Sequence, residues 1–216
     1  MSAEGVWIVF EGGDRVGKST QVETLLNRLL ATGRDAIRTR DPGGTPHAEV
    51  IRDLIVNDRY KWRPETDLLL FTAARCELLA DTILPNLAEG RTVICDRFKG
   101  STWAYQGTDE QQRSRITALD GILGFDRREP DLTVVLDGGE TSIARIAEKA
   151  KSDDESRFER KGPDFHREVQ GRLREFAEGH PNRRLVSANG TVEEVADRVW
   201  SLVRQVSPEL EAAPVA

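Results

Sequence analysis

A glycine-rich loop near the start of the chain constrains the fold more than any other segment. Residues 10–21 read FEGGDRVGKSTQ and contain the complete G-x-x-x-x-G-K-S pattern of a phosphate-binding loop. The apolar run 6–10 precedes this loop, and leucines at helical spacing follow it. Strand, loop and helix therefore occur in the order that turns backbone N–H groups and a helix N-terminus toward an anion. This order predicts that the chain binds a nucleoside triphosphate.

Two side chains at the end of the loop have predicted contacts. Lys18 would reach the outer phosphates, and the Ser19 hydroxyl would coordinate Mg²⁺. A carboxylate at the end of a strand is the expected partner of that ion. Asp96, which is followed by Arg97, is the first candidate, and Asp137 is the second because no arginine follows it. A surface Asp-Arg pair remains the alternative interpretation of residues 96 and 97.

Composition limits the class of protein. The chain has 216 residues, of which 38% are hydrophobic, so one domain with a real core is expected. A net charge of −6 disfavours a general nucleic-acid binder. The sequence has no apolar run of roughly twenty residues and no signal peptide, so we expect a cytoplasmic location. Cys76 and Cys95 fit small core positions.

Strand and helix patterns alternate along the chain and predict an α/β fold. Apolar strands joined by helices form a parallel sheet covered on both faces, with ligands at the carboxyl ends of the strands. We expect one domain over residues 1–206 and a disordered tail over 207–216. The predicted strands are 6–10, 35–40, 92–95, 132–137 and 184–187, and the later predicted helices are 47–56, 64–89, 109–123, a helix from about 140, 165–178 and 192–206.

Three further segments carry side chains suited to a second substrate. The turn RDPGGT at 40–45 precedes a helix that contains Arg52, although such a turn can be only a connector. Phe71 and Arg75 are four residues apart on one helix, which puts an aromatic plane beside a guanidinium; an ordinary core position is the alternative for Phe71. Residues 101–107, STWAYQG, read as one loop rich in hydrogen-bonding side chains and favour a reader of base and sugar.

The charged segment 149–162, KAKSDDESRFERKG, has two alternative interpretations. Its composition fits a solvated loop. In a phosphoryl-transfer enzyme, the same segment would be a lid that carries arginines over the transferring group and excludes water.

Taken together, these segments resemble the thymidylate kinases, which transfer the γ-phosphoryl group of ATP to dTMP to give dTDP and ADP in dTTP synthesis. The resemblance covers residues 6–200 and rests on FEGGDRVGKSTQ, RDPGGT, LFTAAR, DRFKGSTWAYQG and SRFERKGPDFH in the family's order. It implies a P-loop nucleotide kinase fold with a five-stranded parallel sheet, flanking helices and a mobile lid. It also implies Mg²⁺ as cofactor and a homodimer built on helices.

The resemblance assigns roles to individual positions. Phe71 would stack on thymine, with Arg75, Thr102 and Gln106 at the base edge and Tyr105 where a ribose 2′-hydroxyl would clash. The implied ATP site comprises Gly12, Gly13, Asp14, Arg15, Val16, Gly17, Lys18, Ser19, Thr20 and Arg145. The implied dTMP site comprises Asp14, Arg52, Phe71, Arg75, Arg97, Ser101, Thr102, Tyr105 and Gln106. The implied catalytic residues are Asp14, Arg15, Lys18, Arg97, Arg157 and Arg160, and the metal ligands are Ser19 and Asp96.

The chain departs from the family pattern at several positions. Asp41 stands where bacterial members usually have Glu, Phe98 where Tyr is common, and Ser156 where an acidic residue precedes Arg157. Arg15 lies inside the glycine loop, although some members place their catalytic arginine in the lid instead. We expect Arg15 to carry the larger role, because a loop arginine is positioned in advance. A less selective nucleotide kinase and a GTP switch are the alternatives, and no clear Asn-Lys-x-Asp segment supports the switch.

Overall fold

The computed structural model describes residues 5–57, 59–149, 157–158 and 160–210. Five parallel strands form its central sheet in the order β2-β3-β1-β4-β5. This confirms the predicted α/β class, and every predicted strand lies within two residues of its observed bounds. The strands are β1 (Trp7–Gly12), β2 (Ala36–Arg40), β3 (Thr92–Asp96), β4 (Leu132–Asp137) and β5 (Arg183–Ser187).

Helices cover both faces of this sheet. Side chains alternate along β1, so Ile8 and Phe10 face the core cluster under the first and last helices, while Trp7 and Val9 face the opposite cluster. Burial on both sides explains why the central strands read as continuous apolar runs. The helices are α1 (Lys18–Ala31), α2 (Pro46–Val56), α3 (Pro64–Leu78), α4 (Leu84–Ala88), α5 (Lys99–Gln106), α6 (Glu110–Leu123), α7 (Gly139–Lys149), α8 (Pro163–Ala177) and α9 (Val192–Val206).

Two glycines give the loop after β1 its shape. Gly17, the N-cap of α1, has φ +97°, and Gly12 has φ +149°. A Cβ atom on Gly12 would lie 2.8 Å from the carbonyl oxygen of Leu136 and 2.9 Å from Cγ1 of Val16. The loop can therefore turn against β4 only because residue 12 has no side chain.

The long helix predicted over residues 64–89 is interrupted. Leu79–Ile83 form a π-helical turn between α3 and α4, and the N–H of Leu84 donates to the carbonyl of Leu79, five residues back. Pro85 accounts for the interruption, since it has no N–H and its ring collides with the carbonyl four residues earlier in a regular α-helix. A wider turn before the proline removes that collision.

Residues 101–107 were predicted as a loop, and that prediction is wrong, because all but Gly107 belong to α5. The backbone N–H groups of Phe98 and Ser101 both donate to Oε1 of Glu11, at 2.9 Å each. A buried carboxylate on β1 thus takes the place of a local N-cap side chain. Local sequence contains no signal for a cap that is supplied from 90 residues away.

The end of the described chain differs from the predicted disordered tail. Pro208–Leu210 form a 3-10 turn after α9. Leu210 is 3% exposed and joins the core cluster that contains Trp200 and Val203. Residues 211–216 lie outside the described part of the chain.

Replacing Leu210 with alanine therefore tests whether the turn belongs to the core. We expect Leu210→Ala to lower the free energy of unfolding by about 2–5 kcal/mol, because the change leaves a cavity in a packed site. Urea denaturation measures this loss. Leu30→Ala is the control, since Leu30 on α1 is 49% exposed and should change stability by no more than about 0.5 kcal/mol. Equal, small losses in both variants would contradict the assignment.

Candidate active site

A cleft of about 350 Å³ opens at the carboxyl ends of the central strands. The parallel sheet brings the glycine loop, the turn after β2 and the start of α5 to this edge. Ten of the twenty-one predicted site residues meet there. Those that line the cleft are Asp14, Lys18, Ser19, Arg52, Phe71, Asp96, Arg97, Ser101, Tyr105 and Gln106.

Lys18 points back into its own loop. Its ammonium donates to the carbonyl of Gly13 at 2.6 Å, and the residue is 6% exposed. Burial, with a smaller contribution from the charge of Arg97, lowers the pKa of Lys18 to about 8. The Lys18 ammonium therefore loses its proton at a lower pH than an ordinary lysine does, unless a bound anion stabilises the charged form.

Ser19 and Asp96 form a pair of oxygen donors beside this lysine. The Ser19 hydroxyl donates to Oδ2 of Asp96 at 2.7 Å. The rival carboxylate, Asp137, is instead held by both Nε and Nη2 of Arg174, at 2.7 and 3.0 Å. Hydroxyl and carboxylate oxygens are the ligands that Mg²⁺ prefers. The geometry therefore favours Asp96 over Asp137 as the metal-facing carboxylate.

Arg97 connects the glycine loop to α5. Its Nη1 donates to the carbonyl of Gly12 at 2.9 Å and to the Ser101 hydroxyl at 3.0 Å. Its Nη2 donates to Oδ1 of Asp14 at 2.6 Å. Burial opposes ionisation of Asp14, but the Arg97 and Lys18 charges outweigh it, so the pKa of Asp14 is lowered. Arg97 itself has φ +72°, which aims its side chain across the loop.

Glu11 is a residue of this site that sequence analysis missed. It is fully buried, and Oε2 accepts a hydrogen bond from the Ser101 hydroxyl at 2.6 Å, in addition to the two N–H bonds that cap α5. Burial raises the pKa of this carboxyl despite those bonds. A charged residue at the end of an apolar strand, immediately before the glycine loop, was the signal that could have identified it.

Arg75 and Thr102 lie beneath the cleft rather than in its wall. Arg75 is 2% exposed; its Nε donates to Oδ2 of Asp41 at 2.6 Å and its Nη2 to the Thr102 hydroxyl at 2.7 Å. Burial raises the pKa of Asp41, while Arg75 opposes that rise. Asp41 has a shorter side chain than the Glu that is usual in the family, and it binds the buried Arg75 guanidinium beneath the surface of the cleft. Asp41 and Phe71 line the cleft, whereas Arg75 and Thr102 do not.

Two further residues near the base side of the cleft were also missed. Asp67 accepts hydrogen bonds from Nε2 of Gln106, at 3.3 Å, and from Nη2 of Arg157. Phe158 lines the cleft, with its ring 6.1 Å from that of Phe71 and 5.5 Å from that of Tyr105. As the one aromatic residue in the charged segment 149–162, Phe158 could have been recognised as a possible anchor.

The other predicted arginines differ in their positions. Arg52 lies at its rim and donates from Nη1 to the carbonyl of Pro42 at 2.8 Å. Arg15 is half-buried in the glycine loop with φ +57°, whereas Arg145 on α7 and Arg160 are exposed. Most of the predicted lid, including Ser156, lies outside the described residues.

Comparison with known proteins places the chain beside one family. A family model described as Thymidylate kinase matches residues 10–209. The chain is 41% identical over 207 residues to a thymidylate kinase of Ruegeria pomeroyi, covering 94% of this chain and 96% of that protein. It is 45% identical over 189 residues to that of Dinoroseobacter shibae, covering 86% and 89%. A crystal structure of thymidylate kinase from Ehrlichia chaffeensis superposes with a TM-score of 0.73 at 26% identity, covering 93% of this chain and 99% of that one.

The lowered pKa of Lys18 predicts proton uptake when a triphosphate binds. Phosphate oxygens stabilise the ammonium, so the bound lysine is protonated at pH values where the free one, with a pKa of about 8, is not. We expect uptake of about 0.9 proton at pH 9 and about 0.1 at pH 7. Calorimetry in buffers of different ionisation enthalpy measures this number. Lys18→Arg, which cannot lose its proton, should abolish the difference; unchanged uptake in that variant would contradict the assignment.

Proposed function

The chain belongs to the thymidylate kinase family, and from that membership we propose how the residues of its cleft transfer the γ-phosphoryl group of ATP to dTMP. The reaction gives dTDP and ADP, a step toward dTTP. One observation carries the residue assignments: the Arg97 guanidinium bonds to the glycine loop on one side and to α5 on the other. A donor bound on the loop and an acceptor bound against α5 therefore meet at this side chain.

The donor side of the proposed site is the glycine loop. Backbone N–H groups of residues 12–20 and the N-terminus of α1 surround the ATP phosphates. Lys18 leaves the Gly13 carbonyl to contact the outer phosphates, and its charge balances theirs. Arg145, exposed on α7, lies against the adenine.

Mg²⁺ is part of the proposal because the residues present fit it. Ser19 and Asp96, whose oxygens are 2.7 Å apart, would hold the ion at the edge of the loop. When bound, Mg²⁺ neutralises charge on the phosphates and helps to orient the transferred group.

The acceptor side extends from Arg97 to Phe71. Arg52 and Arg97 bind the dTMP phosphate, and Phe71 stacks on the thymine. Asp14 lies between the acceptor sugar and the reacting phosphate, while Tyr105 excludes a 2′-hydroxyl. Arg75 and Thr102 act from below the floor of the cleft, where the Asp41 carboxylate fixes the guanidinium. The remaining acceptor-site residues are Ser101 and Gln106.

Phosphoryl transfer in this site needs no covalent intermediate. Two anions must approach in line, so the reaction depends on cancelling their charge and fixing their positions. Lys18, Arg52 and Arg97 supply positive charge from three different elements of the cleft wall. In the free protein each is held by at least one hydrogen bond to a backbone carbonyl, so the phosphates meet side chains that are already ordered.

Acceptor preference is the direct test of this function. Purified protein should phosphorylate dTMP with ATP at a kcat/KM at least about tenfold above that for dUMP, dCMP, UMP or thymidine. Product analysis should show dTDP and ADP in equal amounts. Comparable rates with several monophosphates would indicate the less selective nucleotide kinase instead, and phosphorylation of thymidine alone would contradict a phosphate-binding role for Arg52 and Arg97.

Removal of the Phe71 ring tests the stacking assignment. Base stacking on an aromatic ring contributes about 1–3 kcal/mol, so Phe71→Ala should raise KM for dTMP roughly 5- to 150-fold. KM for ATP should stay within about twofold of wild type. Leu68→Ala is the control, because Leu68 is buried on the same helix one turn earlier. A fall in Tm with unchanged dTMP affinity would show that Phe71 is only a core residue.

Arg15 is proposed as the main transition-state clamp. Arg157 is bound to Asp67, away from the glycine loop, whereas Arg15 belongs to the loop itself. Arg15→Gly should reduce turnover by about 10³-fold or more, as removal of such arginines does elsewhere. Glycine accepts the φ of +57°, so the change does not strain the loop.

Single-turnover kinetics with both substrates saturating measures this effect, with Arg157→Ala and Arg160→Ala as the comparison. If Arg15→Gly loses less than about tenfold while a lid variant loses a thousandfold, the clamp belongs to the lid.

The assembly and location of the enzyme complete the proposal. α2 packs on α3, which packs on α6, and these helices expose Val50, Leu69 and Ile122, respectively 64%, 55% and 78% accessible. We propose that a second copy covers this apolar face to form a homodimer.

Within the described residues, no helix is long and apolar enough to cross a membrane. Free Cys76 and Cys95 fit a reducing cytoplasm, where we place the enzyme.

A further inference from the structure

His166 is a buried polar side chain to which none of the roles above is assigned. It lies in the first turn of α8 and is 2% exposed. Neither ring nitrogen has a hydrogen-bond partner within the described residues. A phenylalanine would fill the same space beside Phe165 without leaving buried nitrogens unsatisfied. Packing alone therefore does not account for an imidazole at this position.

The imidazole faces the glycine loop. Its Nδ1 lies 3.9 Å from Oδ2 of Asp14. That oxygen is also buried and accepts no hydrogen bond from the part of the chain described, whereas Oδ1 accepts one from Arg97. The Tyr105 hydroxyl is another buried polar atom beside this carboxylate, and Tyr105 lines the cleft. His166 does not line the cleft, and its nearest charged group among the described residues is the Asp14 carboxylate.

Arg97 has two anionic partners in the proposed reaction, the Asp14 carboxylate and the acceptor phosphate. Under the proposed function, on which this inference rests, Arg97 binds the dTMP phosphate as well as Asp14. An incoming phosphate therefore competes with the Asp14 carboxylate for one guanidinium. A buried carboxylate that loses its guanidinium needs another donor if it is to stay oriented.

We propose that His166 is a positioning residue that becomes this second donor. When Arg97 turns toward the acceptor phosphate, the Nδ1–H of His166 donates to Oδ2 of Asp14 and keeps the carboxylate aimed at the acceptor sugar. A movement of about 1 Å closes the present separation to hydrogen-bond length. Gly13, directly before Asp14 in the loop, allows such a movement.

His166→Phe removes both ring nitrogens and keeps an aromatic ring in place. In this variant the Asp14 carboxylate lacks the His166 donor when dTMP draws Arg97 away, so KM for dTMP should rise about tenfold. KM for ATP should change by less than about twofold, since the loop and Lys18 hold ATP. His166→Asn, whose side-chain N–H lies near the Nδ1 position, should recover dTMP binding to within about threefold of wild type.

A double-mutant cycle separates positioning from packing. In an Asp14→Ala background there is no side-chain acceptor for His166 to hold, so His166→Phe should change dTMP affinity by less than about twofold. Calorimetric titration with dTMP measures this affinity independently of turnover. Val169→Ala is the control, because Val169 is fully buried on the same face of α8. It should lower Tm and leave the two KM values in the same ratio.

The inference is overturned if His166→Phe raises both KM values equally, if its effect persists beside Asp14→Ala, or if His166→Asn recovers nothing. His166→Leu replaces His166→Phe in the same cycle should the phenylalanine variant fail to fold. Failure of the wild-type enzyme to phosphorylate dTMP would instead overturn the proposed function, and the two failures are therefore distinguishable.

Discussion

The Arg97 guanidinium is the interaction on which the rest of the cleft depends. It bonds to the Gly12 carbonyl, the Asp14 carboxylate and the Ser101 hydroxyl, and so joins the loop after β1 to the helix after β3. Glu11 reinforces the same junction from below by capping α5. Because both elements are fixed to neighbouring strands, the glycine loop and α5 have a defined separation before any ligand binds.

The charged side chains of the cleft are arranged so that the cleft can bind anions. Burial lowers the pKa of Lys18, and its ammonium rests on a backbone carbonyl. Asp14 stays ionised because the cations beside it outweigh its burial. These groups occupy positions that phosphates would share, so substrate binding exchanges internal partners for substrate oxygens. The charged side chains are therefore already in position when the phosphoryl group is transferred.

Sequence patterns predicted the sheet, and the strand, glycine loop and helix that present Lys18 and Ser19, because those signals are local. Arg97 was found from a separate local signal, the Asp-Arg pair at the end of β3. Long-range contacts were not accessible in the same way. Glu11 caps α5 across the sheet, and Asp41 holds Arg75 beneath the floor, so neither role has a pattern of its own. The burial of Leu210 likewise depends on where α9 packs, and the sequence of the short turn Pro208–Leu210 does not indicate that packing.

Substitution of Arg97 by lysine tests the central role of this guanidinium most directly. Lysine keeps the charge but cannot bond simultaneously to the loop and to α5. We expect kcat/KM for dTMP to fall at least about a hundredfold, while the Kd for ATP stays within about threefold of wild type. Arg174→Lys, which alters an exposed two-point pair with Asp137, should leave both values nearly unchanged. An Arg97→Lys enzyme that retains kcat/KM for dTMP within about threefold of wild type would contradict the account.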